Sequence, residues 1–348
     1  MTDRPHDLLD ESDRHRRYRL GDGLSDGVEV VELTHGETTA VVCPTRGMGV
    51  LEMWVGDTCV GWDSPVAGPV HPAFVSLNSR GGLGWLDGFS ELLVRCGLAF
   101  NGPPGTDDAA GPIGQEVTLH GRIANTPARD VRVEADGDAV TVSGIVEEKT
   151  LFGPNLSLHT QIRLDADGLH VADTVVNNAG SPAEMQLLYH INVGPPFLAE
   201  GSRIAVAAKD ACPRDDRAAE GVADWATCLP PTRGYAEQAY FFKAAAPGVA
   251  CLSAPGGRTF RVDFDAESLP CLTAWKCTQA EADGYVVGLE PGTNFPNFKA
   301  VERDRGRVVS IPAGGEWSTR VSLSVQDGPP DVGPEVEMRP QPTPPMAA

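Results

Sequence analysis

Residues 131–145, VRVEADGDAVTVSGI, decide the fold class. On both sides of Ala135-Asp136-Gly137-Asp138 apolar and polar side chains alternate, so that every second residue can face a core, which is the period of a strand. The Asp and Gly residues between them tolerate the positive φ of a tight reversal, and two antiparallel strands are expected to meet there. Residues 156–176, LSLHTQIRLDADGLHVADTVV, repeat the pattern around Asp165-Ala166-Asp167-Gly168. Other β-rich runs bounded by turn residues lie at 28–33, 39–43, 249–252, 260–264, 285–289, 307–311 and 317–325, as expected of sandwiches and barrels. With 39 glycines and 29 prolines, long helices are not expected, and the best short helical segments are 3–17 and 88–93. The fold expected is all-β, a large antiparallel β-sandwich with a few short helices.

No change of composition divides the 348 residues. Residues 25–326 therefore read as one sandwich domain, 1–24 as an N-terminal extension, and the proline-rich stretch 327–348 as an extended or mobile tail. The formal net charge is −20, and the densest basic cluster, Arg14-His15-Arg16-Arg17, is short; such a field repels polyphosphate, so nucleic acid is not an expected partner. No run approaches the ~18 apolar residues of a membrane span, and the first twenty residues lack the apolar stretch of a signal peptide, so no membrane partner is expected either. Eight cysteines are scattered without a C-x-x-C pair, which suits reduced, mostly buried thiols in a cytoplasmic protein. Monomer and homodimer both remain open.

Three segments carry side chains suited to chemistry. Leu119-His120-Gly121-Arg122-Ile123-Ala124-Asn125 sets an imidazole and a guanidinium, both hydrogen-bond donors, around a glycine that lets a ligand approach the backbone. In Leu187-Leu188-Tyr189-His190-Ile191-Asn192-Val193-Gly194 the strand period puts His190 and Asn192 on one face and Tyr189 and Ile191 on the other. In Val286-Val287-Gly288-Leu289-Glu290-Pro291 one carboxylate follows an apolar strand, just before a proline expected to stop the ladder. Burial there would raise its pKa and make it a stronger base. Taken singly, each segment also reads as a surface loop, a core histidine or a solvated strand end.

Together, His-Gly, a second His at a strand end after Asn177-Asn178-Ala179-Gly180, and Leu-Glu-Pro resemble the aldose 1-epimerases of the galactose mutarotase-like superfamily. The spacings, 190 − 120 = 70 and 290 − 190 = 100 residues, and the ending Ile311-Pro312-Ala313-Gly314-Gly315-Glu316 are similar to that family. Gly88-Phe89 and Arg95-Cys96-Gly97-Leu98 look like an epimerase-like branch of it. The resemblance implies the superfamily's supersandwich fold, Glu290 as general base, His190 as protonated general acid, and His120 as a second histidine polarising the sugar. It also implies that Arg80, in Asn78-Ser79-Arg80-Gly81-Gly82, binds substrate, with Arg95 competing for the role. Arg122, Asn125, Asn192, Trp275, Lys276 and Asn294 stand beside the three motifs as further candidates for contact with sugar, and Trp62 and Trp85 occupy nearby loops.

A base and an acid on one pyranose open the hemiacetal by removing the anomeric hydroxyl proton and protonating the ring oxygen. That chemistry requires no metal and no other cofactor, and the expected partner is a small-molecule carbohydrate. The same pocket would suit an epimerase or lyase acting on a keto sugar, and a non-catalytic carbohydrate-binding protein is the alternative outside enzymes. Two His and one carboxylate could also hold a metal, although no short His-x-His or H-E-x-x-H spacing accompanies them.

Overall fold

Both hairpins close where the turn residues place them. Asp136 pairs with Ala139 and Asp165 with Gly168, so each reversal has a two-residue loop, with Gly137 at φ 57° in the first. The structure is a computed structural model, and it describes residues 6–109, 115–333 and 336–340. Within them the strands Arg129–Asp136, Ala139–Lys149, Asn155–Asp165 and Gly168–Asn177 continue through Glu316–Asp327, Arg258–Phe264 and Gly248–Ser253 to Arg203–Val206 as one eight-stranded sheet. A twelve-stranded sheet runs from His6–Glu11 through His15–Leu20, Glu29–His35, Thr38–Cys43, Gly49–Val55, Leu93–Cys96, Leu188–Val193, Tyr285–Gly292, Cys271–Thr278 and Gln238–Ala244 to Ala208–Pro213, with Thr58–Val60 beside Gly49–Val55. Neighbouring strands are antiparallel in both sheets.

Alternation builds the core. Val140, Val142, Val146, Leu158, Ile162 and Val171 of the smaller sheet meet Val31, Leu33, Tyr189, Ile191, Val287 and Leu289 of the larger in one buried cluster. Each such side chain contributes about 1.5–3 kcal/mol by leaving water. A charged network crosses this apolar layer. Arg95 donates from Nε and Nη2 to the two Asp173 oxygens at 2.6 and 3.0 Å, from Nη2 to Thr160 Oγ1 at 2.8 Å and from Nη1 to the Met48 carbonyl at 2.9 Å. Tyr189 Oη donates to Asp173 at 2.6 Å. Arg95 is thus an internal tie between the sheets, and the expectation that it competes with Arg80 for sugar is not met.

The expected helices at 3–17 and 88–93 do not form. His6–Glu11 and His15–Leu20 are paired strands, because Tyr18 and Leu20, two residues apart, both reach an apolar cluster with Val28, Val30, Val41, Cys43 and Leu51. A two-residue spacing meets that cluster only in an extended chain, and the pairing partner overrides local propensity. Residues 84–88 form a 3-10 turn and Leu93–Cys96 a fully buried strand. Residues 3–5 lie outside the described residues. In the tail, Gly328 donates to the Gly257 carbonyl, Met338 pairs with Ala211, and Arg339 meets Asp210 at 2.7 Å; residues 341–348 lie outside the described residues. Cys43, Cys59, Cys96, Cys228, Cys251, Cys271 and Cys277 form no disulfide, and no helix among the described residues is long and apolar enough to cross a membrane.

Candidate functional site

Leu93–Cys96, Leu188–Val193, Tyr285–Gly292 and Cys271–Thr278 are consecutive neighbours at the middle of the large sheet. The alternation along Leu188–Val193 sends Tyr189 and Ile191 into the core between the sheets and His190 and Asn192 to the opposite face. Leu188 pairs with Gly292 and Ile191 with Leu289, a register that sets His190 opposite Glu290. The ladder is open at that point, where Pro291 has no N–H to give. Contrary to expectation the proline does not end the strand, which runs on to Gly292. His190 Nε2 lies 3.3 Å from Glu290 Oε1, and Thr273 pairs with Glu290 from the other side.

His120 arrives from a loop. Its backbone N–H donates to the Gly102 carbonyl and its own carbonyl accepts from Gly97 N–H. His120 and Gly121 both have positive φ, 56° and 73°. A Cβ on Gly121 would stand 2.4 Å from the Phe100 carbonyl oxygen and 2.5 Å from that of Gly97. The glycine therefore admits the chain's own backbone rather than a ligand, and so fixes where His120 points. Its ring lies 5.8 Å from that of His190.

The three side chains share one cavity of about 600 Å³. Its aromatic wall is close-set, with ring centroids 4.9 Å apart for Trp85 and His120, 5.0 Å for Phe89 and His190, and 5.3 Å for His190 and Trp275. Glu290 Oε1, Thr273 Oγ1, His120 Nδ1 and Trp85 Nε1 are all buried without a hydrogen-bonding partner in the protein, and all four residues line this cavity. The 3.3 Å contact of Glu290 with His190 is within ion-pair range but is not aligned as a hydrogen bond. Buried polar atoms are almost always paired, so four unpaired ones around one hollow make it the candidate functional site.

Burial acts on both members of the pair, and it acts against the expected resting protonation. Burial, and after it the Glu237 carboxylate, push Glu290 well above the usual carboxylate range. Burial brings His190 down to about 4, against a hydrogen bond from its ring to Asn192 that acts the other way. Burial and the neighbouring His190 bring His120 down to about 3. Both directions favour the uncharged pair, with the proton on the Glu290 carboxyl and His190 as a neutral base rather than a charged acid. Asn192 sets its tautomer. The Asn192 amide donates to the Glu91 and His190 carbonyls, so its Oδ1 accepts from His190 Nδ1–H at 2.6 Å, and the lone pair of Nε2 faces Glu290. Replacing Asn192 by Asp is expected to raise the His190 pKa by about 1–3 by placing an anion beside the ring. Titration of the imidazole by NMR checks this, and an unchanged midpoint would remove Asn192 from that role.

Of the residues expected to hold substrate, Trp275 lines the cavity and Asn192 reaches it only through His190. The other five lie elsewhere. Arg80 pairs with Asp87 in an exposed turn. Arg122 is exposed and borders a separate hollow with Glu148. Asn125 accepts from Arg46, whose buried guanidinium also holds Glu91 and the Gly88 carbonyl. Lys276 points to the other face of its strand, clamping the carbonyls of Asp224 and Thr227. Asn294 bonds Asn101. Lys276 shows why adjacency in sequence misleads, since it follows Trp275 on the strand Cys271–Thr278 and strand neighbours face opposite sides.

Trp62 and Trp85 line the cavity, as do Phe89, Thr273, Arg214 and Glu237. Thr273 could have been found by counting two back from Trp275 on one face. Nothing in the chain pointed to Glu237, which accepts from Trp275 Nε1 at 2.6 Å and from Arg214 at 3.0 Å. Among the described residues no three His, Cys, Asp or Glu side chains are grouped so as to hold a metal ion.

Comparison with known proteins agrees with this architecture. Residues 25–325 match the family described as a domain of unknown function (DUF4432). An aldose 1-epimerase candidate from Klebsiella pneumoniae superposes with a TM-score of 0.86 at 32% identity, over 93% of this chain and 88% of that one. A galactose mutarotase-like protein from Clostridium acetobutylicum follows the same fold at 14% identity and a TM-score of 0.62, over 90% and 98% of the two chains. An aldose 1-epimerase candidate from Escherichia coli gives 14% and 0.58, over 86% and 100%. No curated protein sequence matches the chain. By its matched span and its fold, the chain belongs to the DUF4432 family and shares the galactose mutarotase-like fold.

Proposed function

We propose that the protein opens and recloses the hemiacetal of a free aldose, an aldose 1-epimerase-type isomerisation. One observation carries the reading: Glu290 Oε1 and His190 Nε2 stand 3.3 Å apart in a cavity whose buried polar atoms have no partner in the protein. The hydroxyl oxygen and the ring oxygen of an anomeric carbon are geminal, so two groups this close can reach both at once. The Glu290 carboxyl gives its proton to the ring oxygen as the C1–O5 bond breaks, and His190 Nε2 takes the proton of the C1 hydroxyl as the aldehyde forms. The open chain then lies beside a carboxylate and an imidazolium, which stabilise each other. Rotation about C1–C2 presents the other carbonyl face. O5 attacks C1, its proton returns to Glu290, the imidazolium proton goes to the new anomeric oxygen, and the starting pair is restored. His120 and Thr273 supply polar contacts to the sugar beside the pair.

The pair works while it holds one proton. Below about pH 4 His190 takes a second and no base remains, whereas above the raised pKa of Glu290 no acid remains. Polarimetry on freshly dissolved α-anomers is expected to give a catalysed rate that is level from neutral pH down to about 4 and falls on the alkaline side. Failure to accelerate equilibration of any reducing sugar would reject the reaction. A rate that climbs from pH 4 to 7 would reject the protonation states.

A further inference from the structure

The cavity is too large for the single ring that the proposed reaction needs. At the ~30 Å³ that one water occupies in the liquid, 600 Å³ has room for about twenty non-hydrogen atoms, and covalently joined atoms pack more tightly still. A hexose has only about a dozen. The space is also graded from inside to outside. Glu290 and His190 are 3% and 6% exposed, whereas Leu86 and Phe298, on the same cavity, are 39% and 46% exposed.

Phe298 is not loosely placed. It precedes the helix Lys299–Asp304, whose Lys299 and Arg303 are tied to Asp107 at 3.5 and 2.8 Å and to Glu184 at 3.1 and 2.7 Å. Large apolar side chains held exposed beside a buried site call for an apolar surface to cover them, and the C–H face of a pyranose is one. Charge narrows the ligand further. Glu237 and Asp283 are the exposed carboxylates of the cavity, and Arg214, its one Lys or Arg among the described residues, is already held by Asp215 at 2.8 Å and Glu237 at 3.0 Å. These acceptors suit hydroxyls and repel phosphate or uronate.

Resting on the proposed ring-opening reading, we infer that the substrate is the reducing end of an uncharged glycan of at least two sugar units. Its reducing ring lies at Glu290 and His190, and the next ring lies against Leu86 and Phe298. Isothermal titration and polarimetry on maltose, cellobiose and lactose, against glucose and galactose, test this with wild type, Phe298→Ala and Leu86→Ala. At least one disaccharide is expected to be preferred by about 10-fold in Kd and in kcat/KM, a difference of about 1.4 kcal/mol, and either variant is expected to reduce that ratio.

Equal or better handling of the monosaccharides, or a ratio unmoved in both variants, overturns the inference. Preferential binding of a disaccharide with no accelerated equilibration of any sugar defeats the ring-opening reaction and leaves the two-ring site standing. Absence of binding by all five sugars defeats the site itself.

Discussion

Glu290→Gln is expected to slow anomer equilibration by at least about 10²-fold, the range for loss of a positioned acid or base, while matching wild type in stability in acid and exceeding it near neutral pH. Gln matches the carboxyl in size and, because burial favours the protonated form of Glu290, comes close to it in charge, so the core around the sheet has no reason to shift. What is lost is the transferable proton. The linkage sign gives an independent readout. Glu290 has a folded pKa above its unfolded value, so the stability it contributes is complete below the unfolded pKa of about 4.3 and is lost as pH rises through the folded one. Denaturation curves should therefore show wild type losing ground to Glu290→Gln as pH rises above about 4.3. Rates within about threefold of wild type would remove Glu290 from the chemistry.

Arg95→Met is expected to destabilise the protein by about 3–5 kcal/mol, the cost of leaving one member of a buried ion pair alone. Arg95 and Asp173 are each about 1% exposed, and without the guanidinium the Asp173 carboxylate keeps only the Tyr189 hydroxyl. Replacing both, as Arg95→Met with Asp173→Leu, is expected to recover most of the loss, since a well-packed apolar pair is often as stable as a buried ionic one. Urea denaturation of the two variants measures the difference. A double variant no more stable than Arg95→Met would mean that the network contributes more than its own desolvation. The tie matters to the site because Arg95 and Tyr189 lie on the strands that carry the cavity wall, opposite Thr160 and Asp173 of the other sheet.

Local chemistry made the hairpins legible. A period of two around Asp/Gly pairs admits few other backbones, so the turns at 135–138 and 165–168 and the all-β class follow from residues that are neighbours in the chain. The same local reading failed at 3–17 and 88–93, where the partner strands and the cluster under Tyr18 and Leu20 are distant in sequence.

The sequence by itself determined the two hairpins, the all-β class without long helices, the face shared by His190 and Asn192, and the presence of His120, His190 and Glu290 as candidate chemistry. Tertiary structure alone decided the rest. The register of Leu188–Val193 against Tyr285–Gly292 brought side chains 100 residues apart to 3.3 Å, and the depth of that meeting pushed the carboxyl pKa up and the imidazole pKa down. Strand neighbours such as Trp275 and Lys276 parted to opposite faces, and Arg80 and Asn294 found partners elsewhere. The physical reason is that strand period and turn chemistry are short-range, whereas burial and pairing depend on which distant strand lies alongside, a choice made by the whole core at once.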